Sequence, residues 1–120
     1  MTTEKSIIGK SGEDFAEKYF TKSGYNVTRN FHSRYGEIDI IAENDEMILF
    51  VEVKTRKTGS MVAPVEAVDF YKQKKIIATA ECYLMKNETE KQPRFDVFEV
   101  FQNEGRIYKF NHIKSAFDAE

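Results

Sequence analysis

A chain of 120 residues, 41% hydrophobic and 32% charged, suits one soluble globular domain that buries about two-thirds of its unfolded surface. A formal charge of −2 excludes a protein that coats nucleic acid by bulk attraction. No run of about 18 apolar residues occurs, the opening MTTEKS lacks the apolar core of a signal peptide, and the single Cys82 cannot close an internal disulfide; a cytoplasmic protein without a membrane span is expected. With neither a CxxC nor a His/Cys cluster, structural zinc is not expected.

In chain order, Ser6 to Ser23 is predicted to be a helix, with Phe15, Ala16, Tyr19 and Phe20 on one face and Gly24 as its stop. Ser11 with Asp14 resembles a capping box and offers a later start. Glu13 falls at the edge of the apolar stripe. Tyr25 to Phe31 alternates as a first strand, and His32 to Tyr35 is the loop that follows. Glu37 to Ala42 and Met47 to Thr55 are two further strands joined by the charged link Glu43-Asn44-Asp45-Glu46, most simply an antiparallel hairpin. Lys57 to Ser60 is a connection, and Pro64 suits the first turn of a helix reaching about Lys86, with a break expected near Phe70–Lys72. Arg94 to Phe101 is a strong strand, turned by Asn103-Glu104-Gly105 into Arg106 to Phe110. The tail from Asn111 to Glu120 is expected to form a helical turn or to fray. The order α-β-β-β-α-β-β describes a single α/β domain, a mixed sheet flanked by helices.

Parity within the hairpin carries chemistry. If Ala42 faces Met47, Asp39 lies opposite Phe50 and diagonal to Glu52, and Asp39, Glu52 and Lys54 project to one side. Diagonal neighbours are about 7–8 Å apart at Cα, so two carboxylates reaching inward can share one hard cation. Basic residues gather between Lys54 and Lys75 (Lys54, Arg56, Lys57, Lys72, Lys74, Lys75), and Arg29 and Arg34 lie in an acid-free stretch.

Asp39, twelve intervening residues, then Glu52-Val53-Lys54, with Glu13 on an upstream helix, resembles the PD-(D/E)XK nuclease superfamily. The chain is closer still to the small bacterial YraN family of nuclease-like proteins. That resemblance is carried by Gly12-Glu13, Gly24-Tyr25, Arg29-Asn30, GEIDIIA at 36–42, FVEVKTR at 50–56, Glu66-Ala67-Val68 and RFDV at 94–97, from about Gly12 to Val97. It implies a restriction-endonuclease-like fold and a metal-dependent endonuclease acting on DNA, as in repair or branched intermediates and similar to Holliday junction resolvases. By the same resemblance Asp39, Glu52 and the Val53 carbonyl would hold Mg²⁺ or Mn²⁺, with Glu13 completing the shell. Lys54 would orient water or stabilise transition-state charge, and Arg29, Arg34, Arg56 and Lys74 would contact phosphates. The modest net charge leaves room for a homodimer that pools two basic patches.

Plainer accounts compete. Alone, Glu37, Asp39, Glu52 and Lys54 would be a solvated hairpin face with weak cross-strand ion pairs. Glu13 would be an acid favoured by the helix dipole, and Lys74 part of a solvated basic run. His32 and His112 are read as structural or exposed, and Asp96 as a fold residue paired with Arg94 or Lys74. The alternatives to an enzyme are a nucleic-acid-binding module with little turnover and an interaction domain with a structural cation.

Overall fold

A computed structural model describes residues 4–57 and 68–119, with backbone only for 4–10. Helix α1 (Glu4–Lys22) leads into β1 (Asn26–Ser33), β2 (Gly36–Glu43) and β3 (Met47–Lys57). After the connection come α2 (Phe70–Lys86), β4 (Gln92–Asn103) and β5 (Arg106–Phe117). The sheet order is β1-β2-β3-β4-β5, with β3 and β4 parallel and the other neighbours antiparallel. The mixed α/β class and element order are as expected. Among the described residues no helix is long and apolar enough to cross a membrane.

A parallel pair needs a long crossover, and here α2 lies within it. The helices cover opposite faces. On one, Ala16 and Phe20 of α1 pack on Ile40, Leu49, Val51, Phe98 and Val100. On the other, Ile76, Ala80 and Tyr83 of α2 pack on Ile38, Ile41, Phe50, Phe95 and Val97. Gly12 lets α1 close on the sheet, since a Cβ there would run into Thr55 Oγ1 and lie 3.2 Å from Val100 Cγ2. Asp69, extended at φ −70° and ψ 170°, caps α2 by accepting the Lys72 amide at 2.8 Å. The helix therefore begins at Phe70, where a break was expected; the start expected at Pro64 lies outside the described residues.

Two expectations change. Residues 111–117 neither fray nor coil: β5 continues past Phe110 and pairs with β4 through Phe95↔Phe117. Its anchor is buried Asp96, which accepts two hydrogen bonds from Arg94 at 2.8 Å, faces His112 Nε2 at 2.7 Å and accepts the Ser115 amide at 3.0 Å. His112 Nδ1 in turn meets the Tyr19 hydroxyl of α1 at 3.0 Å, a structural role as read. Burial alone would raise the Asp96 carboxyl; those partners hold it down at about 2. A depressed acid stabilises the fold above its unfolded value near 4 and loses that contribution as pH falls through about 2. Asp96→Asn is therefore expected to cost about 2 kcal/mol at pH 7. The difference from wild type in urea unfolding should shrink between about pH 4 and pH 2.

The hairpin register also differs, by two residues. Asn44 and Met47 close a tight turn (Asn44 N–H to Met47 carbonyl, 3.0 Å), and Asn44 Oδ1 accepts the Glu46 and Met47 amides at 2.9 and 2.7 Å. Ala42 therefore pairs with Leu49 rather than Met47. A shift of two preserves parity, so the side on which each residue projects survives.

Candidate functional site

The β2–β3 ladder ends at Ile40↔Val51. Beyond it β2 stays with β1 and β3 stays with β4, so the sheet forks. Asp39 stands in the fork, and its Oδ2 accepts the Val53 amide at 2.8 Å, an N–H the ladder no longer pairs. The pairing of β1 with β2 jumps here from Arg29↔Ile40 to Phe31↔Ile38. Between them Asn30 adopts left-handed backbone, φ 54°. The strands exchange faces at this point: Val27 and Ile40 pack with α1, whereas Phe31 and Ile38 pack with α2. Asp39 occupies the pivot.

Glu52, only 6% exposed, projects from β3 into the same fork. Its Oε1 lies 2.8 Å from Lys72 Nζ, on the first turn of α2, and 3.6 Å from Lys54 Nζ. Burial, the charge of Glu52 and, more weakly, those of Glu13 and Glu37 push Asp39 up to about 7, against the opposing Val53 N–H. Burial lowers Lys54, aided by the charge of Lys72 and opposed by Glu52. Burial is the largest influence on Lys72 and works against it too, but the bond to Glu52, the charge of Glu52 and smaller help from Lys54 and Asp39 together raise it.

The other expected residues divide. Glu13 is felt by Asp39, yet its Oε1 lies 3.3 Å from Arg29 Nη2. With its amide nitrogen turned to the carboxylates, Asn30 donates to Glu13 at 3.2 Å and Glu37 at 2.8 Å. Among the described residues no group of three or more His, Cys, Asp or Glu side chains gathers as a metal cluster. Arg29 is held by Glu13, Asp14 and Glu17, and Arg56 pairs with buried Glu99 at 3.2 Å. Neither is a free surface cation. Exposed Arg34 lies over the Tyr35 ring at 5.1 Å, and Lys74 lies over Phe70 at 4.7 Å. His32 is exposed, 3.9 Å from Glu37.

Lys72 is the residue the sequence reading left unsingled within its basic run. Its signal was available: it stands four positions before buried Ile76, on the stripe that continues through Ala80 and Tyr83.

Mg²⁺ is satisfied by one or two carboxylates with water in its other positions. Two partly or wholly buried carboxylates with only ammonium groups for balance, one of them raised to about 7, form a donor set that a hard divalent cation suits. The Asp39 Oδ1 takes no hydrogen bond among the described residues, and the Val53 carbonyl belongs to the same strand end. Lys72 competes for Glu52. Lys72→Met is expected to tighten Mn²⁺ binding about 3- to 10-fold, measured by calorimetry, because an exchangeable ion pair of about 1 kcal/mol no longer opposes it. Weaker Mn²⁺ binding in that variant would mean Lys72 positions Glu52 rather than competing for it.

The fold and fork define a mixed-sheet α/β protein with a carboxylate–lysine cluster where two neighbouring strands part. The chain belongs to the uncharacterised protein family UPF0102, which matches residues 12–100. A UPF0102 protein of Caldanaerobacter subterraneus subsp. tengcongensis is 44% identical over 117 residues, 94% of this chain and 96% of the relative. One from Persephonella marina is 46% identical over 116 residues, covering 95% and 96%, and one from Clostridioides difficile is 44% identical over 111 residues, covering 91% and 95%.

Proposed function

We propose that this protein is a metal-dependent endonuclease that hydrolyses phosphodiester bonds in DNA. The observation that supports it most is the convergence of Asp39 and Glu52, from strands that have just parted, with Lys54 on the same strand as Glu52. Asp39, Glu52 and the Val53 carbonyl would hold the cation. When bound, Mg²⁺ or Mn²⁺ supplies Lewis-acid charge at the scissile phosphate and makes water more acidic. Lys54 is placed beside that phosphate to orient the attacking water and to balance charge in the transition state. Lys72 offers a second ammonium for a phosphate oxygen once it leaves Glu52. Glu13 adds negative potential at Asp39 and fixes Arg29 and Asn30, while Arg34 and Lys74 remain exposed for the DNA backbone.

The test is cleavage of linear, flapped and four-way DNA with Mg²⁺ or Mn²⁺, against the same reactions in EDTA. Metal-dependent product is expected on at least one substrate. Product that persists in EDTA, or none on any substrate with either metal, would overturn the proposal.

A further inference from the structure

Resting on the nuclease reading of the same cluster, we propose that Tyr35 and Tyr71 form a stacking platform for unpaired bases beside it, so that the DNA this site takes is single-stranded or locally unpaired. Both rings are conspicuous outside the core, 45% and 69% exposed, and neither belongs to either apolar cluster. Each carries a cation on one face: Arg34 lies 5.1 Å from the Tyr35 centroid, and Lys75 Nζ 4.5 Å from that of Tyr71.

The two pairs are brought together by the fold. The β1–β2 turn closes on α2 through Ser33 Oγ and Thr79 Oγ1 at 2.8 Å, and a Cβ on Gly36 would stand 3.6 Å from Lys75 Cβ. Tyr35, beside Gly36, is therefore near Lys75, and Tyr71 lies one turn earlier on the same helix. The acidic fork lies nearby. Lys72, next in the chain to Tyr71, reaches Glu52 at 2.8 Å, and Asp39 on β2 stands four residues, about 13 Å, beyond Tyr35 in the β1–β2 turn.

A cation over an exposed ring is held weakly, so an incoming base can take the ring face while Arg34 or Lys75 moves to the neighbouring phosphate. Every base has such a face, but in a duplex those faces are covered by neighbouring pairs. Alternating rings and cations complement an unpaired polyanion.

The experiment measures binding in EDTA, where cleavage plays no part, by anisotropy of a labelled oligo-dT 20-mer and of a blunt duplex of equal length. Wild type is expected to bind the single strand more tightly, by about tenfold. Tyr35→Ala and Tyr71→Ala should each weaken single-strand binding about 5- to 100-fold and leave duplex binding nearly unchanged. Tyr71→Trp should retain it, since the ring and not the hydroxyl is used, and Met85→Ala, exposed on the last turn of α2, should change nothing. Equal affinity for both forms, or unchanged binding in both alanine variants, would overturn the platform. Ring-dependent single-strand binding in a protein that never cleaves would leave the platform standing and remove the nuclease.

Discussion

Glu52→Ala is expected to abolish metal-dependent cleavage, and Lys54→Ala to lower it by about 100-fold or more at saturating metal. The two losses should differ in kind. On the proposed reading Glu52 would anchor the cation, so its loss should also weaken Mn²⁺ binding, and Glu52→Gln should fail as completely because shape without charge does not hold a hard divalent ion. In the proposed reaction Lys54 would act on the charge that develops in the transition state, so Lys54→Ala should keep Mn²⁺ affinity or improve it and lose turnover. Stability is the competing explanation, since Glu52 is buried between two ammonium groups. Lys72 is substantially exposed and can swing to solvent when its partner is removed, so the variant should still fold, a point checked by its unfolding transition. Cleavage at the wild-type rate in both alanine variants would place the chemistry elsewhere or outside this protein.

What could be foreseen about this cluster followed from period-two alternation, which is insensitive to a register error of two. The turn was expected to span Glu43–Glu46, yet Asn44 closes it one residue tighter on each side, and Asp39 and Glu52 still meet. The reversal of faces between Ile38 and Ile40 was not legible, because simple alternation puts both isoleucines on one side. It depends on one left-handed residue, Asn30, and on two strands that turn together. Arg29 was read as a surface cation because its own neighbourhood in the chain is free of acids; Glu13, Asp14 and Glu17, one helix earlier, claim it. The β5 extension was missed for a related reason. His112 and Ser115 look like an undistinguished tail until Asp96, in another strand, supplies their partner. Local periodicity shows which side a residue takes; it does not show which distant charge it will meet.

Asp39→Asn is expected to stabilise the metal-free protein while destroying its metal site. Asp39 is raised from its ordinary range to about 7 by burial and by Glu52. A raised acid favours folding fully below its unfolded value near 4, and that advantage is lost as pH rises through about 7. Above pH 7 the ionised group therefore costs up to about 4 kcal/mol. Against this stands the bond from the Val53 amide, which an asparagine oxygen can still accept but which weakens by about 1 kcal/mol when the acceptor loses its charge. Coupling to Glu52 reduces the gain further, and a net stabilisation of about 2 kcal/mol remains at pH 8. In a domain of this size that raises Tm by about 5–10 °C. Thermal unfolding in EDTA should show the difference at pH 8 and little of it at pH 4. Excess Mg²⁺ should narrow it by stabilising wild type alone, because only the carboxylate pair binds the ion. If Asp39→Asn unfolds earlier than wild type at pH 8 in EDTA, the carboxylate is a structural acceptor for the parted strand, and its ionisation carries no net cost in the fork.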